Sequence, residues 1–401
     1  MYMLRSFLLT ILALISIKGI SQDSTANVIS HDSTAEVRYQ VAIFTPLYLD
    51  SAFDNISGYK YGKNFPKFIS SGLEFYEGCL MAIDSLDKEG VPIDISIHDT
   101  RAMATSVQDV IAAQQFQEVD LIIGHVNASE ARLLANHAAA KNVPFINATY
   151  PNDAGVSNNP NYIILNSTLF THFNAIYKYI QKNHALNSVV LFRKKGQQED
   201  RLEEYFRNIG KNTNSVPLKI KYVTLSDNFT PQEVKKHLNA DGTTVCIAGS
   251  FDITFGEILG QQLSLIHADA PAVLFAMPNW WDVADFSGQD YKGVEMIFTT
   301  PFYLPPANPL VVKVQNHFKS IYYSRPTDMV FRGFETLYHF AHLLHLNGQN
   351  LGSALSEKKY KLFNEFDIQP VINPKTTTLD YFENKKIYFV KKVDGMVTAV
   401  Y

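Results

Sequence analysis

In this chain polar residues repeatedly follow short apolar runs, and binding chemistry can be assembled at those junctions. Asn127 and Ser129 flank the start of a predicted helix just past the run 120–124. Backbone N–H groups there, with either side chain, would hold a carboxylate. Asn and Ser are also favoured helix caps, and capping alone is the competing reading. Thr45, Pro46 and Tyr48 close the first run and reach the same rim, and the following loop adds Tyr59 and Tyr61. Ala148, Thr149 and Tyr150 close another; the Thr149 hydroxyl either meets a ligand or bonds its own turn. In the second half, Asp252 and Thr254 follow the run 243–248, where Asp252 can also serve simply as a helix N-cap. An indole at Trp280 or Trp281 would stack on an apolar or sugar-like ligand. Two adjacent indoles cannot both enter one cleft, so Trp280 is taken as the binding side chain, with core packing as its alternative.

Motifs for catalysis and metal binding are weak by comparison. Gly58 to Lys63 imitates a phosphate loop but lacks one spacer residue and ends in Asn64 rather than Ser or Thr. No Gly-x-Ser-x-Gly elbow occurs, and Cys79 and Cys246 lie in no nucleophile pattern. They fall in a predicted helix and a predicted strand, and read as small buried side chains rather than a disulfide. His339, His342 and His345 recur every third residue, whereas helical metal sites favour pairs four apart. A packed helix face is the expectation, and no metal, cofactor or enzymatic role is assigned.

The elements that must hold these residues alternate regularly. Buried-strand runs at 41–47, 93–97, 120–124 and 143–148 are interleaved with helical stripes such as Leu73, Tyr76, Leu80 and Ile83. The plan restarts after residues 162–166, with strands at 188–192, 218–225, 243–248, 272–276 and 294–299. Two helices then span 310–323 and 327–346, and residues 366–401 alternate as strands with turns at 383–385 and 394–395. This is an α/β pattern of two doubly wound, three-layer lobes. A length of 401 residues, 46% of them apolar, suits two cores better than one. A net charge of −4 without a basic block argues against nucleic-acid partners. Arg5 ahead of an apolar run to Ile17, then Gly19 and Ser21, reads as a signal peptide over residues 1–21. The run is too short for a comfortable membrane span, so no stable insertion is expected after cleavage. Residues 22–38 read as a polar linker, and the loop 50–67 is long enough to be functional.

The order of elements resembles the type I periplasmic binding proteins, in particular the branched-chain amino-acid-binding-like group that shares its fold with receptor ligand-binding regions. The resemblance covers Tyr39 to Tyr401. It is carried by the run 120–124 leading into His125-Val126-Asn127-Ala128-Ser129, by 143–148 leading into Thr149-Tyr150, and by Arg325-Pro326 with Arg332-Gly333-Phe334-Glu335. It is nearest to a Bacteroidetes-type set, some members of which carry LysM modules; none fits between Gln22 and Tyr39. The resemblance implies a Venus-flytrap pair of lobes, 39–167 plus 300–365 and 168–299 plus 366–401, crossed three times by the chain. It implies that Ala148 and Thr149 meet a ligand amine and that an acidic residue near Asp252 pairs with an ammonium group, although alignment sets Thr254 nearer that place. The expected function is a periplasmic protein that closes on a small polar ligand, an amino acid or related compound, and passes it to an ABC-type permease. An interaction or sensor protein of the envelope on the same fold is the alternative.

Overall fold

The computed structural model describes residues 38–400 except 55, 57, 63, 64, 282–285 and 287. The signal-peptide reading, residues 22–37 of the linker and Lys63 therefore lie outside the described residues. The first half runs β1 (Tyr39–Thr45), α1 (Leu49–Ala52), α2 (Lys67–Lys88), β2 (Ile93–Asp99), α3 (Val107–Ala112), β3 (Leu121–Gly124), α4 (Ala128–Lys141), β4 (Phe145–Asn147) and β5 (Tyr162–Ile164). The second runs α5 (Leu169–Asn183), β6 (Val189–Arg193), α6 (Gln197–Lys211), β7 (Ile220–Thr224), α7 (Pro231–Lys235), β8 (Thr244–Ala248), α8 (Ile253–Ile266), β9 (Ala272–Phe275) and β10 (Glu295–Thr300). α9 (Pro309–Tyr322), α10 (Asp328–Asn347), β11 (Ile368–Ile372), β12 (Leu379–Asn384), β13 (Tyr388–Val393) and β14 (Met396–Val400) follow.

Two seven-stranded sheets result, ordered β11-β12-β5-β4-β3-β1-β2 and β14-β13-β10-β9-β8-β6-β7. Their central strands are parallel and covered on both faces, which is why β1 and β8 read as unbroken apolar runs. β2 and β7 sit at sheet edges and show the mixed burial of half-exposed strands. α10 lies against α2 through two glycines. A Cβ on Gly78 would stand 2.0 Å from the Val330 carbonyl oxygen, and one on Gly333 would stand 2.1 Å from that of Phe75. Backbone therefore meets backbone at this crossing, and the start of α10 is fixed relative to the first sheet. His339 and His342 on α10 are buried in packing: His342 stacks on Tyr360 at 4.1 Å and its Nε2 lies 2.9 Å from Glu89.

The tail departs from the sequence reading, which put all of 366–401 with the second lobe. Pairing divides it: Phe382 of β12 faces Ile163 in the first sheet, and Val390 of β13 faces Phe298 in the second. The stretch 383–385 is consequently a crossing rather than a hairpin turn. Glu383 explains this, because its carboxylate accepts bonds from the Thr168 backbone N–H at 2.8 Å, the Thr168 hydroxyl at 2.9 Å and the Thr171 hydroxyl at 2.6 Å. The Ser167 hydroxyl donates to the Asn384 carbonyl at 2.6 Å, so two crossings are tied side by side. Asp394 and Gly395, both with positive φ, do form the expected tight turn between β13 and β14.

Candidate ligand-binding cleft

Parallel strands deliver their carboxyl ends to one side of a sheet, and here the ends of both sheets converge on one cavity of about 800 Å3. It is lined by residues that follow β4 (Asn152), β5 (Asn166), β8 (Phe251), β9 (Trp281) and β10 (Phe302), and by the first turns of α10. Its size suits a small ligand. A larger groove of about 1440 Å3 runs along α5, α6 and the amino-terminal end of β6. Strand-end loops do not converge there, and we regard it as surface relief.

The loops after β4, β8 and β9 reach the cavity through Asn152, Phe251 and Trp281, but none of the side chains expected from sequence is among its lining residues, and most of them have partners within the chain. Asn127 caps α4: its Oδ1 accepts from the Glu130 N–H at 3.0 Å and the Ser129 hydroxyl at 2.8 Å, while Glu130 accepts the Asn127 N–H at 2.9 Å. Thr45, expected at the rim, is fully buried and donates to the Gly72 carbonyl at 3.0 Å, where it secures α2. Ala148 is buried with its N–H on the Gly124 carbonyl at 2.9 Å, and the Tyr150 N–H donates to Asn147 Oδ1 at 3.0 Å. Asp252 caps α8 through the Thr254 and Phe255 N–H groups and forms an ion pair with Lys194, whose hydrogen bond lowers its pKa. Thr254 itself is exposed.

Trp280 requires outright correction. It is 0% exposed, its ring edge lies where a Cβ on Gly256 would stand 2.7 Å away, and it stacks on Phe286. The short helical turn 278–280 rotates Trp281 to the cleft instead, where the Lys392 ammonium sits 4.4 Å from its ring. Tyr48 is not among the cavity-lining residues; it adopts a left-handed conformation with its N–H on Asp99 at 3.1 Å. Its ring starts a chain of aromatic contacts through Phe68, Tyr61, Tyr59 and Phe53, all partly exposed.

Thr149 belongs to a relay invisible in the sequence. Its hydroxyl lies 2.7 Å from His125 Nδ1, His125 Nε2 lies 2.8 Å from the Ser71 hydroxyl, and the Thr149 carbonyl accepts from Asn166 at 2.6 Å. Burial, reinforced by the nearby Arg332 charge, pulls the His125 pKa down to about 4 and keeps the ring neutral. Sequence reasoning set Trp281 aside in favour of Trp280 and did not single out Asn166, Asp328, Arg332 or Glu335 as cavity residues. An Asp328/Arg332 pair four apart just after the Thr327 cap was the available signal, and the pair is formed at 2.8 Å. Glu335 is 1% exposed; Oε1 accepts the Phe363 and Asn364 N–H groups at 2.9 and 2.5 Å, and Oε2 accepts the Asn364 side-chain amide at 2.9 Å.

Two mixed sheets with parallel central strands, three chain crossings and a cavity between converging strand ends define a two-lobed binding protein of the periplasmic type I fold. The family model described as "Periplasmic binding protein" matches residues 67–362, and the chain belongs to that family. Among similar solved structures is a putative branched-chain amino acid ABC transporter from Rhodospirillum rubrum, with 14% identity and a TM-score of 0.65 over 91% of this chain and 100% of that one. Another is a branched chain amino acid ABC transporter periplasmic ligand-binding protein from Burkholderia xenovorans, with 14% identity, a TM-score of 0.60 and coverages of 91% and 95%. An ABC transporter substrate-binding protein from Desulfitobacterium hafniense in complex with Leu has 11% identity, a TM-score of 0.53 and coverages of 91% and 100%. At such identities the likeness is one of fold. No curated protein sequence matches the chain. Family and fold support a solute-binding role, and among the described residues no helix is long and apolar enough to cross a membrane.

Proposed function

We propose that this protein is an exported, periplasmic solute-binding protein whose halves close on a small polar ligand and present the closed form to an ABC-type permease. The supporting observation is the cavity of about 800 Å3 to which loops from both sheets contribute. A ligand touching both walls binds the closed state better than the open one, and that difference in affinity drives closure. No catalytic role is proposed: the neutral His125 is backed by Thr149 rather than by a carboxylate, which gives Ser71 a weak base. Thr149 is the sequence-predicted residue whose carbonyl accepts from the cavity-lining Asn166, which joins it to the cavity wall.

The test is a thermal-shift screen of purified protein against amino acids, sugars, polyamines and wall fragments. A ligand at 100 times its Kd stabilises by about 2.7 kcal/mol, and X-ray scattering should show compaction on its addition. Flat melting curves for every class would overturn the proposal. The exposed aromatic series from Tyr48 to Phe53 favours the second reading, an envelope interaction or sensor protein, because contiguous apolar surface marks contact with partners.

A further inference from the structure

We propose that Glu335, Asn364 and Tyr303 form a proton-linked latch in the cavity wall: the Asn364–Tyr303 hydrogen bond holds while Glu335 is ionised and breaks when Glu335 takes up a proton. The consequence for closure rests on the solute-binding reading. The latch itself does not, and its test uses the protein without any solute.

All three residues line the cavity of about 800 Å3, and they come from separate stretches of chain. Glu335 projects from α10, Asn364 from the segment between α10 and β11, and Tyr303 from the crossing that leaves β10. Glu335 and Asn364 are buried, so bulk water is not at hand to replace a lost partner. Both Glu335 oxygens face donors: Oε1 accepts the Phe363 and Asn364 backbone N–H groups, and Oε2 accepts the Asn364 side-chain amide at 2.9 Å. This suits a carboxylate, which only accepts, whereas a neutral carboxyl carries one O–H that must donate. The two backbone N–H groups are fixed by the chain, but the Asn364 amide can turn. Turned, it offers Oδ1 to the new O–H and presents its own NH2 to the Tyr303 N–H, donor against donor. In the ionised state that same Oδ1 accepts the Tyr303 N–H at 2.7 Å. One carbonyl oxygen therefore serves either Tyr303 or the Glu335 proton.

The proton is exchanged in an ordinary working range. Burial pushes the Glu335 pKa up to about 7, against the pull of the Asn364 and Phe363 donors and of the Lys361 charge. Lys361, on the segment beyond α10, pairs with Glu365 at 3.0 Å. On α10 itself Arg332 pairs with Asp328 at 2.8 Å, and burial pulls the His339 pKa down to about 4. From α5, His172 shares a hydrogen bond with Thr299 at 2.8 Å, and burial likewise pulls its pKa down to about 4. Both histidines thus keep one charge state where Glu335 changes its own. Opening the latch releases the crossing that leaves the second sheet from α10, which packs in the core of the first half. Acid slackens one of the three crossings, and the balance between open and closed halves shifts with it. By reciprocity, a solute that favours the latched form drives proton release.

The experiment reads two signals between about pH 5 and pH 8.5, a range that brackets the Glu335 transition. Infrared difference spectra of wild type against Glu335→Gln follow the protonated carboxyl. Hydrogen exchange resolved to single amides by NMR follows the Tyr303 N–H, expressed at each pH as protection relative to an unstructured peptide. In wild type that protection should rise roughly 3- to 10-fold as pH passes the carboxyl's midpoint, the worth of one neutral hydrogen bond. Global stability moves the other way, since a raised folded pKa makes the Glu335 contribution fall as pH rises, so the two effects differ in sign. The Thr168 N–H, held by Glu383 at another crossing, should not share the rise. Glu335→Gln, whose amide donates towards Asn364 at every pH, should hold Tyr303 at the low protection of the acid form throughout. A level Tyr303 signal in wild type, a rise shared with Thr168, a rise that persists in Glu335→Gln, or a carboxyl that keeps one state across the range would each overturn the latch. The wild-type titration decides even where the variant fails to fold. A latch that titrates in a protein for which no solute is found leaves this inference standing and overturns solute binding; a bound solute with a level Tyr303 signal does the reverse.

Discussion

Glu335 and Glu383 lie where the chain passes between its halves, and each is 1% exposed, yet different donors hold them. Glu383 shares its site with the Lys385 ammonium at 2.5 Å and with hydroxyls from Thr168 and Thr171. Glu335 has only amide N–H donors, from Phe363 and Asn364. Those amides offset part of its desolvation, and burial pushes its pKa up to about 7. One joint is therefore fixed by a charge pair, while the other holds a group that changes charge in an ordinary working range. Asn364 extends the second joint by accepting the Tyr303 N–H at 2.7 Å, which ties α10 to the strand leaving the second sheet.

The strongest way to break this comparison is Glu383→Ala. It strands Lys385 and three donors of the first crossing, and should lower unfolding free energy by about 3–5 kcal/mol in urea denaturation; a loss below about 1 kcal/mol would show that the two joints do not differ as described. Glu335→Gln should cost less, about 1–3 kcal/mol, because the backbone N–H groups keep an acceptor while the new amide faces the Asn364 amide. The sharper contrast is with pH. Since the folded pKa of Glu335 lies above the ordinary value of 4.5, the unfolded chain gives up its proton first. The Glu335 contribution is then fully present below about pH 4.5, is lost as pH rises towards about 7, and is level above that. The difference in stability between wild type and Glu335→Gln across that range reads this out, and a constant difference would contradict it. Asn127→Ala, which removes a cap and not a joint, should cost about 1 kcal/mol. Thr254→Ala should stay within about 0.5 kcal/mol, as for an exposed side chain bonded only through its backbone.

The architecture was readable because strands covered on both faces leave unbroken apolar runs. The predicted strand 243–248 differs from Thr244–Ala248 by one residue, and 93–97 differs from Ile93–Asp99 only at its end. Loops at the cleft were readable for the same reason, since they begin where such runs stop. Side-chain direction within those loops was not. Asn152 and Phe251 border the cavity beside the expected Tyr150 and Asp252, and one step along a short helical turn exchanges Trp280 for Trp281. A cap and a ligand contact also call for the same residue types, so Asn127 and Asp252 were ambiguous until their bonds were seen. The division of the tail had no local signal: alternating strands look alike whichever sheet they join, and the deciding contact, Glu383 to Thr168, spans 215 residues.

That division governs the order in which the molecule can be completed. β12 belongs to one sheet and β13 and β14 to the other, so a chain emerging amino-terminus first leaves both halves short of strands until nearly its last described residue has appeared. The first sheet gains its last strand at Asn384 and the second only at Val400, so completion of both is deferred to the end of the described chain. If the chain is exported as proposed, such a delay would keep it compliant during passage through a translocation channel.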